Sequence, residues 1–380
     1  GRGRGIVPAL IVSPFFSGVL RMAGIWVEPL GLLQGRAAAL AIAADVALPL
    51  GGGAAAFTMV RIIAPDAPAA PMALADVPAS WQAQVLALTR PVPGFAGLPT
   101  PAELGRPLVM GIVNVTPDSF SDGGRHFDPR AAIEAGHAML EAGADLLDVG
   151  GESTRPGAEP VTPEEEIARI LPVLRELAKA ATVSVDTRNA ATMRAALEAG
   201  AEIVNDVTAL RHDPEAARVV ADAECGLVLM HMKGTDPRSM QQDIRYDDVA
   251  VEVADFLAER VAFAEAAGIA RSRIALDPGI GFGKRMPQNL ELIERLPLLA
   301  GLGCPVLFGA SRKRFIGELS GVERAEDRVA GSVAAAIAAA QRGASILRVH
   351  DVAETVQALA VLAACQAGEP PSVDAGPAEE

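Results

Sequence analysis

Eight short stretches between residues 108 and 351 each end in groups able to bind or react with a polar molecule. They are Asn114 after "LVMGIV", Asp148 after "ADLL", Asp186 after "TVSV", and Asn205 with Asp206 after "EIV". Further on come His231 in "GLVLMHM", Asp277 in "RIALDPG", the run Gly309, Ser311, Arg312 and Lys313 in "PVLFGASRK", and Arg348 and His350 in "SILRVHD". A buried carboxylate costs several kcal/mol, about 3 or more, unless something pairs with it. Eight polar ends in register therefore point to one polar ligand with many hydrogen-bonding groups.

The groups divide by chemistry. Asp186, Asn205, Asp277 and Lys313 offer carboxylates, an amide and an ammonium, which suit a flat heterocycle with ring N–H and amino groups. Arg155, Arg312, Arg348 and His350, with the small residues of "GASRK", suit a phosphate or diphosphate. Asn114 could help fix a divalent cation, which prefers oxygen ligands and neutralises diphosphate charge. Met230 and Met232 alternate with His231, so they share a face and can pad a ring. His231 has no second His or Cys at metal spacing, and a packed histidine is the better reading than a zinc ligand.

Two loops, "TPDSFSDGG" and "GGESTRPGAEP", follow the first two strands and are long and glycine-rich enough to close over a reacting substrate. Phe120 and Pro156 would give the closed site an apolar wall. Asp148 either lines the site or positions the second loop. No P-loop or GxSxG nucleophile occurs, and "GIGFGK" does not match GxxxxGK[ST].

The elements that must position these residues are regular. Between the eight strands lie amphipathic segments with apolar residues at three and four spacing, and Gly143, Gly200, Gly268 and Gly343 supply helix stops. Eight strand–helix units over about 260 residues predict a (β/α)8 barrel, in which chemistry sits at the C-terminal strand ends. A GxGxxG after the first strand, the mark of a doubly wound dinucleotide fold, is missing.

The expected division is an N-terminal extension and linker over 1–100, the barrel over 101–366 and a disordered tail over 367–380. In the extension, "GGGAAAFTMVRII" reads as a strand and "ASWQAQVLALTR" as a short helix with Trp81 on its apolar side, a small α/β appendage against the barrel. "PVPGFAGLPTPAELGRP" reads as a linker. The apolar stretches "GIVPALIVSPFFSGVL" and "AAALAIAADVALPLGGGAAAF" are broken by proline, glycine or charge, so membrane spans are not expected.

With 33 Lys plus Arg against 47 Asp plus Glu, the net charge of -14 argues against a nucleic-acid partner. Three widely spaced cysteines, Cys225, Cys304 and Cys365, argue against a disulfide scaffold and for a reducing compartment.

Taken in order, "MGIVNVTPDSFSDGG", "LLDVGGESTRPGA", "VSVDT", "IVNDV", "LMHMKG", "LDPGIGFGK", "GASRKRFIG" and "LRVHDV" resemble the signature segments of the dihydropteroate synthase family. The resemblance spans roughly residues 108–360. It implies condensation of (7,8-dihydropterin-6-yl)methyl diphosphate with 4-aminobenzoate, with Mg2+ as cofactor, in a cytoplasmic homodimer. It also implies roles. Asp186, Lys313, Asp277 and Arg348 correspond to the catalytic set, and Asp186, Asn205, Asp277, Lys313 and one of Met230 or Met232 to the pterin site. Asn114 corresponds to the magnesium contact, and Arg155, Arg348 and His350 to the diphosphate site. Thr154, Pro156, Phe282, Ser311 and Phe120 correspond to the aminobenzoate pocket, with Asp148 and Gly309 lining the whole. Arg314 and Phe315 depart from many members and predict a more cationic phosphate rim. A pterin-binding methyltransferase and a non-catalytic pterin-binding paralogue are the alternatives. "GESTRPG" and the cationic "SRK" and "RVH" argue against the first, since a methyl donor has no diphosphate to hold.

Overall fold

The structure is a computed structural model, and it describes residues 25–64, 70–115, 129–152, 161–234, 240 and 244–368. The first apolar stretch, most of both long loops and the tail from 369 lie outside the described residues.

The chain opens with β1 (Trp26–Leu33), α1 (Gly35–Ala43), β2 (Leu48–Pro49), β3 (Ala56–Ile63) and β4 (Met72–Ala73), followed by α2 (Gln82–Ala87) and α3 (Pro101–Leu104). β1 and β3 pair antiparallel from Trp26↔Ile63 to Leu33↔Ala56, and β2 and β4 both pair with β3. The strand and helix expected here are present. β1 was not anticipated, because Pro29 and Gly31 mask its pattern.

Then come β5 (Leu108–Asn114), α4 (Pro129–Glu141), β6 (Leu146–Gly150), α5 (Pro163–Leu177), β7 (Val183–Asp186), α6 (Ala190–Glu198), β8 (Ile203–Asp206) and α7 (Ala216–Ala223). They continue through β9 (Gly226–Met230), α8 (Val249–Ala266), β10 (Ile274–Asp277), α9 (Met286–Glu294), β11 (Leu307–Phe308), α10 (Arg314–Ser320), α11 (Val329–Ala340), β12 (Ile346–Val349) and α12 (Val352–Ala367). The eight strands β5–β12 form one sheet in the order β10-β9-β8-β7-β6-β5-β12-β11, every pair parallel. A parallel bridge from Leu276 to Val306 brings β10 to the start of β11 and closes the (β/α)8 barrel. The four glycine stops all sit at positive φ, from +91° at Gly343 to +107° at Gly200, where a side chain would be strained.

Parallel strands buried on both faces read as apolar runs, and here the two faces separate cleanly. Val109, Leu147, Val185, Val204, Leu227, Leu276 and Leu347 pack against the helices. Residues of the opposite parity, Leu108, Met110, Leu146, Ile203, Val228, Ala275, Leu307 and Ile346, fill the barrel interior around Phe95. The proline- and glycine-rich linker thus does more than connect: its Phe95 plugs the N-terminal mouth.

Continuing the inward parity upward predicts which side chains reach the C-terminal mouth. From the inner layer it runs to Asn114, Asp148, Asp186, Asn205, Met230, Asp277, Gly309, Ser311, Arg348 and His350. Asp206 and His231 have the outward parity, so alternation removes them from the site.

Candidate active site

Contacts between strands that are not neighbours confirm the inward set. Arg348 on β12 donates from Nε to Asp148 Oδ2 on β6 at 2.6 Å and from Nη2 to Asp186 Oδ2 on β7 at 2.8 Å. Asn205 on β8 donates its amide to the same Asp148 oxygen at 3.0 Å. Such bonds can only cross the interior. Of the two roles open for Asp148, its contacts favour the site: it is 1% exposed, and its Oδ1 has no partner among the described residues. A buried acceptor left unmet is what a polar ligand or water would satisfy.

Electrostatics follow from this crowding. Burial pushes Asp186 up to about 7, with Arg348 pulling it down and Asp148 adding to the rise. Asp277 is raised by burial too, with Lys313 opposing, and its Oδ1 accepts the Gly279 N–H at 2.6 Å. Burial lowers Lys313 to about 8 against the pull of Asp277. The Lys313 ammonium donates to the Ile280 carbonyl and lies 4.8 Å from the centre of the Phe282 ring.

One wall is apolar: Met230, Met232, Val207 and Met240 cluster with Phe282 packed against them. Gly309, after β11, lies beside Asp277 and Arg348: an added Cβ would stand 3.7 Å from Arg348 Cβ and 3.9 Å from Asp277 Oδ2. Ser311 Oγ meets His350, accepting its N–H at 3.2 Å and lying 3.0 Å from Nδ1. Asn114 Nδ2 stands 3.5 Å from His350 Nε2.

Two sequence expectations are corrected. Arg312 does not hold its guanidinium out for a phosphate. It is held at Asp351, with Nη2 at 2.5 Å and Nε at 3.3 Å, joining the loop after β11 to the start of α12. Arg314 pairs with Glu318 along the exposed face of α10, and Phe315 is buried, so neither enriches a cationic rim. Phe120, Thr154, Arg155 and Pro156 lie outside the described residues.

Sequence reasoning missed three supporting groups. Glu152, at the base of the second loop, pairs with Arg188 two residues beyond Asp186, at 2.9 and 3.2 Å. Glu166 is fully buried and accepts from Thr187, Asn189 and Thr192, fixing the turn after β7. Lys284 bonds to His231. Each belongs to a segment read only for its neighbours, and "GIGFGK" was tested only as a phosphate loop.

The magnesium expectation rests on donor chemistry. With its nitrogen end toward His350, the Asn114 amide has an oxygen end to offer a hard cation. Among the described residues no three His, Cys, Asp or Glu side chains are grouped to hold an ion. One amide oxygen is compatible with a magnesium ion that would draw its other ligands from phosphate oxygens and water.

Residues 110–350, the stretch that carries every one of these strand ends, match the family described as pterin binding enzyme. The dihydropteroate synthase of Escherichia coli K12 is 46% identical over 267 residues, covering 70% of this chain and 94% of that protein. The chain belongs to the dihydropteroate synthase family. Another member, from Neisseria meningitidis serogroup B, is 50% identical over 264 residues, 68% of this chain and 92% of its own. Among solved structures, the Xanthomonas albilineans dihydropteroate synthase with 4-aminobenzoic acid is 56% identical, with a TM-score of 0.65 over 70% of this chain and 94% of that one. The same enzyme in complex with 7,8-dihydropteroate gives 54% and a TM-score of 0.63. The family match begins at Met110, so the antiparallel sheet of β1–β4 lies outside it.

Proposed function

We infer that this chain condenses (7,8-dihydropterin-6-yl)methyl diphosphate with 4-aminobenzoate, giving 7,8-dihydropteroate and diphosphate, a transferase step of folate biosynthesis. The observation that carries this reading is the inward ring of Asp186, Asn205, Asp277, Lys313 and Arg348 beside the methionine wall. Carboxylates and an amide face a heterocycle edge, methionines cover its plane, and cations stand where a diphosphate would leave.

The reaction breaks the bond from the methylene carbon to the diphosphate oxygen, and the electron pair leaves with diphosphate. Positive charge then spreads into the electron-rich reduced pterin, where the Asp186 carboxylate stabilises it. Fixed charges placed where charge develops are the strongest device a site has. Asp277 and Asn205 orient the ring, and Lys313 and Arg348 balance the negative groups. The aniline nitrogen attacks the carbon with its own lone pair and loses its proton afterwards, so no strong base is needed beforehand. Magnesium, with Asn114 as its protein contact, neutralises diphosphate charge when bound. Ser311, Phe282, Phe120, Thr154 and Pro156 form the aminobenzoate pocket, and Arg155 and His350 join Arg348 at the diphosphate.

Two further readings accompany the reaction. The protein acts as a homodimer, supported by α11, which carries no charged side chain, and by Val361 on α12, which is 59% exposed. It works in the cytoplasm, supported by a sequence with three widely spaced cysteines, too few and too scattered for a disulfide framework. No helix among the described residues is long and apolar enough to cross a membrane.

The deciding experiment is diphosphate release by the purified protein with the pterin diphosphate and magnesium, with and without 4-aminobenzoate. Release that depends on the amine and yields dihydropteroate supports the reading. Tight pterin binding without product would defeat it.

A further inference from the structure

Lys284 closes the segment after Asp277, yet its side chain turns back into the barrel wall and is 3% exposed. Its nitrogen lies 2.8 Å from His231 Nδ1 and 2.8 Å from the Gly279 carbonyl, with the Phe282 and His231 carbonyls at 3.1 and 3.3 Å. Three carbonyl oxygens and a ring nitrogen surround one nitrogen. A neutral amine has only two hydrogens to give, whereas an ammonium has three. The geometry therefore asks for the charged form, although burial pulls Lys284 well below its ordinary value, with Asp277 opposing and Lys313 adding to the fall.

His231 answers in kind. With Nδ1 accepting, its proton sits on Nε2 and the ring is neutral. Burial keeps it so, and the charges of Lys284, Arg211 and Lys233 add to that. Its ring meets Phe256 edge to face at 4.9 Å.

These contacts join three pieces of the site. The Gly279 N–H is the donor to Asp277 Oδ1, and Phe282 supplies the ring beneath Lys313. His231 stands between Met230, the last residue of β9, and Met232 just beyond it. The approach is tight: Gly279 has φ +68°, and a Cβ there would fall 1.9 Å from the His231 carbonyl oxygen. Only glycine lets the turn come this close, and Lys284 is the side chain among the described residues that donates to all three carbonyls the approach crowds together, the Gly279 carbonyl also accepting the Phe282 N–H at 3.0 Å.

We propose that Lys284 is a positioning residue for this reaction: its buried ammonium pins the Gly279–Phe282 turn to the end of β9 and so sets Asp277, Phe282 and the methionine wall around one substrate. The proposal rests on the condensation read above. A wild-type protein that releases no diphosphate defeats that reading, whereas wild-type turnover with an indifferent Lys284 variant defeats this one.

The test compares Lys284→Met and Lys284→Ala with wild type in kcat, in KM for each substrate, in pterin affinity and in melting temperature. Misplacement by about 1 Å can cost about 100-fold, and a loss of that order in kcat/KM is expected for Lys284→Met, with weakened pterin binding. Ethylammonium, which can fill the space left in Lys284→Ala, should restore at least part of the lost turnover. A folded Lys284→Met with kcat and both KM values within twofold of wild type would overturn the proposal, as would absence of rescue by ethylammonium. Should neither lysine variant fold, His231→Asn, which keeps an acceptor near the place of Nδ1, is set against His231→Leu, which does not. Higher kcat/KM in the asparagine variant supports the pin, and equal values overturn it.

Discussion

Arg348 reaches across the barrel to Asp148, Nε to Oδ2 at 2.6 Å, although their strands are separated by β5. Burial opposes the guanidinium's charge, but Asp148 and Asp186 more than offset this and hold it above its ordinary value. Asp148 is thus the shared acceptor of a cation and of the Asn205 amide. Asp148→Ala takes this acceptor from the Asn205 amide and leaves Arg348 with Asp186 alone of the two carboxylates. Removing one member of a buried pair costs about 3–5 kcal/mol, so the variant should melt markedly lower and lose pterin affinity, while Asp148→Asn falls between it and wild type. Calorimetry with and without pterin checks this. Unchanged melting and binding would remove Asp148 from the site.

The acid and base limbs of activity should fall close together. The Asp186 carboxylate is the working form and is populated only above about 7, so kcat/KM declines as pH drops through that value. The Lys313 ammonium is populated only below about 8, so activity declines again as pH rises past it. A narrow maximum between these two values is expected. Residual activity of Asp186→Asn should lose the acid limb and keep the other. The same shift acts on stability with a definite sign: Asp186 takes up its proton in the folded state below about 7 and in the unfolded chain only below about 3.8. Its contribution is complete below the lower value and is lost as pH rises through the upper one.

Asn114 should govern the response to magnesium. Altering a group around a bound metal typically changes affinity by roughly tenfold or more, so Asn114→Ala should raise the magnesium concentration for half-maximal diphosphate release by about that factor. Turnover at saturating magnesium should recover most of the wild-type rate. An unmoved magnesium response would separate Asn114 from the ion.

The barrel was legible because its signals repeat: eight apolar runs, glycine stops, and a polar residue at each strand's end. The inward parity that gathers Asp148, Asp186, Asn205 and Arg348 could also be counted from the sequence. What could not be read was partnership. Arg312 and Arg348 look alike in sequence, yet one is held by Asp351 at the edge of a helix and the other spans the interior. Lys284 stayed hidden for a related reason. A lysine in a glycine-rich loop reads as exposed, and only its four polar neighbours in space reveal the burial. β1 was missed because a proline and a glycine break the alternation that marks a strand, while its pairing with β3 supplies the stability the pattern lacks.

Glu28 on β1 decides whether the N-terminal sheet is a working part of the barrel. It is 2% exposed; Oε2 accepts from Arg61 Nε at 2.7 Å and Oε1 from Arg295 Nε at 2.6 Å. Arg295 lies after α9 and also donates to Asp248 and Glu291, and Asp248 caps α8 by accepting the Val251 N–H. Trp26 adds a bond to Asp255 on α8 at 2.8 Å. Glu28→Ala would leave Arg295, which is 9% exposed, short of one carboxylate. A cost of about 3 kcal/mol is expected, read as a lower melting temperature with both KM values unchanged, because Glu28 touches no residue of the site. Residues in one buried network couple by about 0.5–3 kcal/mol. The double-mutant cycle of Glu28→Ala with Arg295→Met should therefore show the second change costing less once the first is made. Strict additivity, or a Glu28→Ala protein as stable as wild type, would make the sheet a passenger on the barrel.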